Sequence, residues 1–470
     1  MSKVLILGAG MIANPIINYL LSKNVSLTVA SRNREAAIGM IANHPGGSAV
    51  EWDTGDEAAL DKMVSEHEIT VSLLPWQHHP QVARYSLRHK RHLVTTSYVK
   101  PEMKSLDVPA REAGIILLNE LGLDPGIDHM SAMRIIDGVH RRGGNIEGFY
   151  SMCGALPSPE AAGNPFKYKF SWSPKGVITA ANNEARFLRD GQIVKVSSED
   201  LFKNPLQARF HAGGSGPANP PVVFEVYPNR DSLPYIELYG IREARTMIRG
   251  TFRYPGWCDI LDTMKRLGLL SDEVRDFSGK TYAGFMAMMI GETCPGGIRG
   301  KVASRLGMQS SSPGLSAMEW LGLFDDSPMN RGVDTPFEIV SDLMADRMEI
   351  GISERDMVAL QHIFLVSWPG GEREVIKSSL AQYGSPSTDT AVARTVALPA
   401  AIAVEMMLEG QINARGVHIP VIPEIYNPVL DRLEDMGVKM NEQYGLPESD
   451  WPEGARNQKE EISGKTRYDQ

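Results

Sequence analysis

A short apolar segment near the start of the sequence runs directly into a glycine-rich turn. Residues 4–7 are Val-Leu-Ile-Leu, and Gly8-Ala9-Gly10-Met11-Ile12-Ala13 follows, which matches the pattern G-x-G-x-x-[G/A]. In a strand–turn–helix unit, the first glycine allows the tight turn, and the second lets backbone N–H groups approach a pyrophosphate. The small third residue lets the helix pack against the strands. We therefore predict a dinucleotide site that includes Gly8, Gly10, Met11, Ile12 and Ala13.

The first 120 residues alternate between strand and helix patterns, which is typical of a parallel sheet with crossover helices. Predicted strands lie at residues 4–7, 26–30, 49–52, 69–74, 92–95 and 115–118, and predicted helices at 34–42, 56–66, 79–90 and 103–113. These patterns predict an α/β fold with an N-terminal Rossmann domain, a doubly wound parallel sheet, over residues 1–124. We expect helices at about 390–445 to complete this domain.

The pattern changes after residue 119. Loops rich in proline, glycine and asparagine separate strand patterns at residues 146–152, 177–179, 192–196, 222–227 and 246–254, and a helix is predicted at 131–140. The segment Pro369-Gly370-Gly371 indicates a hairpin that returns to the same sheet. We therefore predict a second α/β domain with a mixed sheet over 125–255 plus about 355–389. We also predict an inserted all-α domain over 256–354, a mobile loop at 206–221 and a polar tail at 447–470.

Composition excludes several classes of protein. A chain of 470 residues is expected to form two or three domains, and its net charge of −9 argues against a nucleic-acid partner. The longest apolar stretch, 396–404, falls far short of the ~20 residues that span a bilayer, so we expect no membrane partner. Because Cys153, Cys258 and Cys294 form no CxxC pair, we expect no metal site and a reducing, cytoplasmic location.

The end of the second predicted strand indicates which nicotinamide dinucleotide is bound. An NAD site usually has Asp or Glu there to bind the ribose 2′-hydroxyl, but this chain has Ser31-Arg32-Asn33-Arg34. Two guanidiniums can pair with a 2′-phosphate, so we predict that NADP(H) binds at this segment. The alternative is that both arginines are only solvated charges. Asp53 and Thr54 follow the third strand and are predicted to contact the cofactor, although Asp53 could instead cap the next helix.

Three further segments follow the fourth, fifth and sixth predicted strands, at the edge where open α/β sheets bind ligands. They are Leu73-Leu74-Pro75-Trp76, Thr95-Thr96-Ser97-Tyr98 and residues 119–129. The third segment, Asn-Glu-Leu-Gly-Leu-Asp-Pro-Gly-Ile-Asp-His, carries unusually many functional groups for a loop. We expect substrate to bind at this edge. His78-His79 is not predicted to bind a metal, because adjacent residues do not readily face one ion and no further ligand has a suitable spacing.

At these residues the chain resembles the saccharopine reductases, the NADP-dependent, glutamate-forming saccharopine dehydrogenases of lysine metabolism. The resemblance rests on Gly-Ala-Gly-Met-Ile-Ala, Ser-Leu-Leu-Pro-Trp, Thr-Ser-Tyr, Gly-Leu-Asp-Pro-Gly-Ile-Asp-His and Tyr-Pro-Asn-Arg-Asp-Ser. It implies a reversible reaction in which saccharopine, NADP and water give glutamate, 2-aminoadipate 6-semialdehyde and NADPH. It also implies that the second domain binds substrate and that the protein is a homodimer.

The resemblance implies roles for individual residues. It places Tyr98, Asp124 and Cys153 at the reacting centre as catalytic residues. Residues that it places against the substrate are Ser97, Tyr98, Asp124, Arg230, Thr251 and Arg253. Further cofactor contacts that we expect at the same sheet edge are Leu74, Ser97, Leu123 and Pro125. Arginine suits this substrate, because saccharopine carries three carboxylates and a guanidinium pairs with a carboxylate through two hydrogen bonds.

Other interpretations of these residues stay open. Asp124, before a proline, could simply form a turn, Cys153 could be a packed thiol, and Arg230 could lie in a surface turn. Trp76 and Ser31 stand where the resemblance leads us to expect tyrosine and cysteine. The alternative function is a carboxynorspermidine dehydrogenase or another NADPH-dependent enzyme that joins an amine to an aldehyde, although two arginines favour a substrate rich in carboxylates. A third hypothesis is a non-catalytic NADP-binding protein.

Overall fold

The computed structural model describes residues 2–212, 221–386 and 389–452. The chain divides into two compact units, which are described separately. Unit 1 comprises Met1–Gly144 and Gln382–Asn441, and unit 2 comprises Asn145–Ala381 and Glu442–Gln470. The helices predicted for the insertion lie within unit 2, and the domain boundaries proposed from the sequence stay predictions.

The strands and helices of the described residues are numbered in chain order. The strands are β1 (Lys3–Leu7), β2 (Ser26–Ser31), β3 (Gly47–Glu51), β4 (Ile69–Ser72), β5 (His92–Thr95), β6 (Ile116–Leu118), β7 (Asn145–Pro157), β8 (Ala185–Arg189), β9 (Gln192–Val196), β10 (Leu206–Phe210), β11 (Val222–Pro228), β12 (Thr246–Arg253), β13 (Arg275–Asp276), β14 (Val333–Asp334), β15 (Asp356–Ser367), β16 (Arg373–Tyr383), β17 (Gly416–His418) and β18 (Asn441–Leu446). The α-helices are α1 (Ala13–Ser22), α2 (Arg34–Ile41), α3 (Glu57–Glu66), α4 (His79–His89), α5 (Pro101–Lys104), α6 (Asp107–Ala113), α7 (Ile127–Arg141), α8 (Pro174–Ala180), α9 (Pro234–Leu238), α10 (Trp257–Arg266), α11 (Tyr282–Met289), α12 (Ile298–Leu306), α13 (Pro313–Trp320), α14 (Pro336–Arg347), α15 (Ala391–Leu408) and α16 (Pro423–Asp435).

Unit 1 is built on a seven-stranded parallel sheet with the order β17-β6-β5-β4-β1-β2-β3. The chain reverses direction across the sheet between β1 and β4, which makes this position the topological switch point of a Rossmann fold. The predicted fold class is confirmed here, and all six predicted strands are present. Because the strands are parallel, the segments after β1, β4, β5 and β6 lie at one edge.

The apolar pattern of the first strand explains its place at the centre of the sheet. The side chains of Val4, Leu5, Ile6 and Leu7 are all fully buried, as a strand covered on both faces requires. Helix α1 presents Ile16, Ile17 and Leu20 to the interior and packs against α15. The central position of β1 therefore fixes where its following turn, at Gly8, lies.

One helix of the described residues, α15, is long and apolar enough to cross a membrane by length and composition. Of its 18-residue apolar window, 78% is buried inside the protein. It packs against α1 and α16 within unit 1. The buried packing accounts for its apolar sequence.

Unit 2 contains a nine-stranded mixed sheet, as the sequence predicted. Its main path is β10-β11-β12-β7-β15-β16-β18, and β8 and β9 extend it from β12. Strands β7 and β12 pair in parallel, whereas β15 pairs with β7, and β11 with both β10 and β12, in antiparallel orientation. Helices α10 to α14 follow β12 in the sequence, with the short β13–β14 pair among them.

Two local predictions from the sequence were wrong, and two predicted helices have other bounds than expected. Residues 177–179, read as a strand, lie in α8, because Ser173 caps that helix by accepting from the Gly176 N–H and Pro174 begins it. The loop predicted at 206–221 contains β10 over Leu206–Phe210, and 213–220 lie outside the described residues. The helix predicted at 131–140 begins at Ile127, and the one at 103–113 is two helices, α5 and α6.

The first described residues of the predicted polar tail pack on the sheet of unit 2. The Trp451 ring contacts Tyr150 edge-on with centroids 5.0 Å apart, and Lys377 Nζ lies 2.7 Å from Asp450 Oδ2. The remaining residues of that prediction, 453–470, lie outside the described part of the chain.

The loop before α7 generates a test of this fold. Gly126 has φ +146°, and a Cβ there would lie 2.0 Å from the Gly122 carbonyl oxygen. Gly126→Ala is therefore expected to lower the free energy of unfolding by at least about 2 kcal/mol. Gly138, inside α7 with open space around it, is the matched control. Gly138→Ala should raise the free energy of unfolding by about 0.5–1 kcal/mol in urea titrations, and equal effects of the two changes would contradict the loop geometry.

Candidate active site

The glycine turn after β1 leaves open space at the start of α1. Gly8 has φ +104°, and its N–H donates to the Ala30 carbonyl at 2.8 Å. A Cβ added at Gly10 would meet no atom of the described part of the chain within 4 Å. Among the residues that the structure describes, no side chain caps α1, and its first turn carries no acidic residue. Free N–H groups at the positive end of a helix, beside open space, fit the phosphates of a dinucleotide. Of the other predicted residues in this turn, Met11 is exposed, Ile12 is half-buried and Ala13 is buried.

The segment after β2 presents an arginine to solvent. The Ser31 hydroxyl accepts from the Asn33 N–H, and the Asn33 side chain caps α2 by accepting from the Ala36 N–H at 3.0 Å. The Arg32 side chain is 84% exposed, and its Nε lies 4.0 Å from Asp53 Oδ2. An exposed pair at this distance contributes little stability, so Arg32 can exchange its partner for a ligand phosphate.

Asp53 does not cap the helix that follows it. Its carboxylate accepts from the Gly55 N–H at 2.9 Å, whereas Asp56 caps α3 by accepting from the Ala59 N–H. The capping alternative for Asp53 is therefore wrong. Its predicted contact with the cofactor, and that of the half-buried Thr54 beside it, stay predictions.

A buried histidine connects the ends of β4 and β5. His79 Nδ1 lies 2.9 Å from the Ser72 hydroxyl, and Nε2 lies 2.9 Å from Ser97 Oγ and 3.0 Å from Thr95 Oγ1. Burial, followed by the nearby His78, lowers the pKa of His79 to about 4. The imidazole is therefore neutral at physiological pH. Ser97, a predicted contact of both cofactor and substrate, is half-buried at the end of this chain of hydroxyls.

Two predicted catalytic residues are in direct contact. The Tyr98 hydroxyl donates to Asp124 Oδ1 at 2.5 Å, and both side chains are half-buried. Asp124 precedes a cis peptide bond to Pro125, in a tight loop where the Gly122 N–H donates to the Pro125 carbonyl. The loops after β5 and β6 thus bring a phenol and a carboxylate together. Asp124 has a polar partner in addition to its place in a turn.

Buried polar side chains fix the positions of both loops. One Glu120 oxygen accepts from the Val99 N–H at 2.8 Å, and the other lies 2.8 Å from His129 Nε2. Asp128 accepts from the Gly126 N–H at 2.6 Å. Glu120 itself is in the left-handed region, with φ +61°. In the segment 119–129, Asp124 is therefore the half-buried acidic residue, whereas Glu120, Asp128 and His129 are buried and hold the loop in place.

The remaining cofactor contacts predicted in unit 1 lie at the same edge. Leu74 follows β4 and is half-buried, whereas Leu123 and Pro125 are buried in the loop after β6. The sheet thus brings together all the cofactor-binding residues predicted from the sequence, because each follows the carboxyl end of a parallel strand. Their contacts with a cofactor stay predictions.

In unit 2, three predicted residues lie on neighbouring strands. Thr251 of β12 is paired with Cys153 of β7, and Arg253 lies two residues further along β12 on the same face. Tyr227 of β11 is the register partner of Thr251 in the antiparallel pair of β11 with β12. Arg230 is exposed in the segment after β11, with φ +55°, and its charge acts on Tyr227. The exposed, left-handed conformation of Arg230 fits the alternative that it is only a surface turn residue. Its charge nevertheless lies close enough to affect Tyr227.

Arg253 is a buried cation surrounded by aromatic rings. Its side chain is only 4% exposed, and its guanidinium carbon lies 4.8 Å from the Tyr168 ring centroid, 5.3 Å from Trp257 and 5.8 Å from Tyr227. Burial raises the pKa of both tyrosines, so their hydroxyls stay uncharged. Within the described part of the chain Arg253 forms no ion pair, and its Nε has no hydrogen-bond partner. A buried guanidinium in this state is ready to bind a carboxylate.

The cysteines of unit 2 differ in their surroundings. Cys153 is buried beside Arg253, and its predicted catalytic role stays a prediction. Burial, followed by the nearby Glu225 carboxylate, raises the pKa of Cys258 far above its ordinary value, so this thiol is a structural one. Glu225 also accepts from the N–H groups of Gly256 and Cys258, which fixes the start of α10.

A cavity of about 1300 Å³ in unit 2 is not the predicted substrate site. It is lined by side chains such as Phe187, Arg189 and Trp451, and by none of the residues predicted to bind substrate. Oppositely charged pairs, including Lys203 with Asp200, lie along its wall. The cavity therefore has no bearing on the substrate-binding residues predicted from the sequence, which stay predictions.

Sequence reasoning missed several residues that hold these sites. His79 was considered only as a metal ligand, and Glu120 only as part of a loop. Tyr168, Tyr227 and Trp257 were not singled out, although Tyr227 opens the Tyr-Pro-Asn-Arg-Asp-Ser segment. The described residues contain no group of three potential metal ligands.

Fold and site together define an enzyme of the dinucleotide-binding oxidoreductase class, with a Rossmann unit and a second α/β unit. Residues 4–118 match the family model described as "Saccharopine dehydrogenase NADP binding domain", and residues 122–438 match "Saccharopine dehydrogenase C-terminal domain". The chain belongs to the saccharopine dehydrogenase family. The resemblance noted in the sequence is thereby confirmed.

Named relatives match over nearly their whole length. The chain is 35% identical over 458 residues to "Saccharopine dehydrogenase [NADP(+), L-glutamate-forming]" of Schizosaccharomyces pombe, covering 94% of this chain and 99% of that protein. It is 37% identical over 443 residues to the protein of the same name from Saccharomyces cerevisiae, covering 92% and 96%. The solved structure of apo histidine-tagged saccharopine dehydrogenase (L-Glu forming) from Saccharomyces cerevisiae superposes with a TM-score of 0.84 at 36% identity, covering 94% of this chain and 100% of that one.

The residues of unit 1 fit an NADP molecule. The open space at Gly10 and the uncapped start of α1 suit the pyrophosphate. The exposed Arg32 suits a 2′-phosphate, and the part of β2 that ends beside it carries no carboxylate. When bound, the cofactor supplies a nicotinamide ring that accepts or donates hydride.

Because the pKa of His79 is low in the folded protein, the free energy of unfolding depends on pH. In the unfolded chain histidine titrates near pH 6.5, so below that pH the unfolded state binds a proton that folded His79 excludes until about pH 4. The contribution of a neutral, buried His79 to the free energy of unfolding is therefore fully present above pH 6.5, and it is lost as the pH falls from 6.5 toward 4. His79→Gln should reduce the loss between pH 7 and pH 4.5 by about 2 kcal/mol in urea titrations.

His67 and His92, whose pKa values are also lowered by burial, keep their own contributions in that variant. His78→Gln, at the half-buried neighbouring position, is the control and should change the acid dependence much less than His79→Gln, because His78 is only the smaller cause of the low pKa of His79. An identical acid dependence in the wild type and in His79→Gln would contradict a buried, neutral His79.

Proposed function

We propose that the chain is an NADP-dependent saccharopine dehydrogenase of the glutamate-forming type, acting in lysine metabolism. The observation that carries this proposal is the match to 99% of the Schizosaccharomyces pombe enzyme at 35% identity, which includes both units. Saccharopine, NADP⁺ and water give glutamate, 2-aminoadipate 6-semialdehyde, NADPH and a proton. Hydride leaves the carbon beside the secondary amine, and water then adds to the resulting iminium carbon and releases glutamate.

Unit 1 supplies the groups that act on the reacting nitrogen. The Asp124 carboxylate, hydrogen-bonded to Tyr98, carries the negative charge that stabilises an iminium as hydride leaves. The buried Glu120–His129 pair holds the loop in place, so the charge does not have to reorganise during the reaction. Ser97, on the preceding strand end, is proposed to orient the nicotinamide and the substrate.

Unit 2 supplies the groups that bind carboxylates. Arg253, buried among aromatic rings and without an ion pair in the described part of the chain, is proposed to bind one substrate carboxylate, with Thr251 and Arg230 as further contacts. This chemistry favours saccharopine over the polyamine substrates considered from the sequence, because a buried cation repels a polyamine. Cys153, beside Thr251, is proposed to line the same surface.

We also propose that the protein is a homodimer in the cytoplasm, as expected from the resemblance and from the cysteine content. Light scattering coupled to size-exclusion chromatography of the full chain measures the first property. A monomer at micromolar concentration would contradict the dimer.

The enzymatic proposal is tested by a direct assay. Purified protein is mixed with saccharopine and either NADP or NAD, and the absorbance of the reduced nicotinamide is followed. Reduction of NADP that requires saccharopine is expected. No reduction of either cofactor would overturn the proposal, and turnover of a carboxylated polyamine in place of saccharopine would support the alternative function.

Arg32 is expected to decide between NADP and NAD. Arg32→Asp removes a cation from the 2′-phosphate and adds a repelling charge, so NADP affinity should fall about 30-fold or more while NAD affinity changes less than about threefold. Lys90→Asp, before β5 at the opposite edge of the sheet, is a control of equal charge change. Equal losses for both cofactors in Arg32→Asp would contradict this role.

Arg253 is expected to act on substrate binding alone. Arg253→Lys keeps the charge but loses the planar pair of donors, so the KM for saccharopine should rise about 10- to 100-fold with NADPH affinity unchanged. Arg245→Lys, at an exposed position just before β12, should change neither quantity. A KM for saccharopine unchanged in Arg253→Lys would contradict the proposal that Arg253 binds substrate.

A further inference from the structure

His79 connects two buried hydroxyls to one that is only half-buried. Ser72 and Thr95 are fully buried at the ends of β4 and β5, His79 is 4% exposed, and Ser97 is half-buried. Both ring nitrogens are used, each within 3.0 Å of a hydroxyl oxygen. Thr95 Oγ1 in turn accepts from the Ser97 N–H at 3.1 Å. The main chain and the side chain of Ser97 are therefore both held by hydrogen bonds to buried residues, Thr95 and His79.

This arrangement costs more than an apolar core would. A polar side chain loses its hydration on burial, and apolar residues of similar volume would fill the same space without that cost. On the same face of the sheet, the preceding position of β5 is the apolar Leu93, whereas that of β4 is Thr70, a buried hydroxyl that is not part of the cluster. The polar cluster is confined to the strand ends, where the sheet meets its ligand edge. Its position indicates a role at that edge rather than in the core.

The chemistry of a neutral imidazole suits an orienting role. The ring has one N–H donor and one acceptor nitrogen, whereas a hydroxyl can both donate and accept. If Nε2 carries the proton, Ser97 Oγ and Thr95 Oγ1 share this one N–H as acceptors, and the Ser97 hydrogen is free to point to a ligand. If Nδ1 carries the proton, the one lone pair of Nε2 accepts from Ser97 or from Thr95, and a Ser97 hydroxyl that donates to it offers a ligand only its lone pairs. His79 can thus set the direction of the Ser97 hydroxyl without introducing a charge.

We propose that His79 is a positioning residue that fixes the Ser97 hydroxyl at the nicotinamide end of the dinucleotide site. The inference rests on the proposed function, which places Ser97 against cofactor and substrate. His79 acts through Ser97 and does not itself contact the reacting atoms. Its effect is on the orientation of the bound nicotinamide relative to the substrate carbon.

The test is a double-mutant cycle that combines His79→Asn with Ser97→Ala. Asparagine places its amide near the position of Nδ1, so it can keep the Ser72 contact while losing Ser97 and Thr95. Each single variant is expected to lower kcat about 10-fold and to weaken NADPH binding, followed by fluorescence, about threefold. The double variant should lose no more than either single one. Losses that multiply, to about 100-fold in kcat, would show that the two residues act independently and would overturn the proposal.

A second variant separates positioning from structural support. His79→Gln places its amide near the position of Nε2 and can keep the contacts with Ser97 and Thr95. Its kcat and NADPH affinity should stay within about threefold of the wild type, although it loses Ser72. If His79→Gln loses as much as His79→Asn, the Ser97 contact is not the cause and the proposal fails. His78→Gln, one residue away, is the matched control.

The two kinds of failure are distinguishable. NADPH affinity is measured without substrate, so the cycle can be read even if saccharopine is not turned over. A wild type that binds NADPH but does not oxidise saccharopine overturns the proposed function, and the cycle on NADPH affinity then still decides the coupling of His79 to Ser97. Thermal unfolding of each variant identifies any loss that comes from misfolding. If His79→Asn unfolds, the comparison of His79→Gln with Ser97→Ala carries the test.

Discussion

The burial of β1 between β2 and β4 is the constraint on which the rest of unit 1 depends. Both faces of this strand are covered, and its residues 4–7 are accordingly all apolar and fully buried. A shift of the strand by one residue against β2 and β4 would move one of these apolar side chains out of the core. Once β1 is fixed, the parallel arrangement places the turn at Gly8 and the segments after β4, β5 and β6 at one edge. The site is a consequence of strand direction before any functional side chain is considered.

Polar residues at that edge are held by other buried polar residues. Glu120 contacts the backbone after Tyr98 and the ring of His129, and Asp128 holds the Gly126 N–H. Each such group would be costly alone, because a buried polar atom without a partner loses its hydration. In a connected set, each satisfies another, and the set as a whole allows few alternative arrangements. The Tyr98–Asp124 contact is therefore preorganised by its neighbours rather than by the loop backbone alone.

The sequence was informative where a signal is local. The glycine turn could be read because strand, turn and helix follow one another, and the absence of a carboxylate at Ser31-Arg32 could be read in the same way. That Tyr98 and Asp124 lie near each other also followed, since each comes after one of two neighbouring parallel strands. His79 could not be assigned, because its partners Ser72 and Ser97 come from two strands whose register the sequence does not reveal. The β-branched residues 177–179 were misread for a related reason: Ser173-Pro174 starts a helix there, and tertiary burial of Val177 and Ile178 sustains it.

The two units differ in the sign of the charge that they place at the predicted site residues: unit 1 has the Asp124 carboxylate, and unit 2 has the buried Arg253 cation. This difference bears on the proposed substrate. In unit 1, His79 is kept neutral by burial, and the negative charge is that of Asp124, held by Tyr98. In unit 2, Arg253 is buried as a cation beside two uncharged tyrosines and a tryptophan, whose ring faces stabilise the guanidinium without neutralising it. A carboxylate that enters gains a charge-assisted hydrogen bond in a low-dielectric setting and relieves the unpaired Nε. Under the proposed substrate role of Arg253, an uncharged or cationic substrate end gains neither, and such a ligand is disfavoured because it leaves a buried charge unpaired.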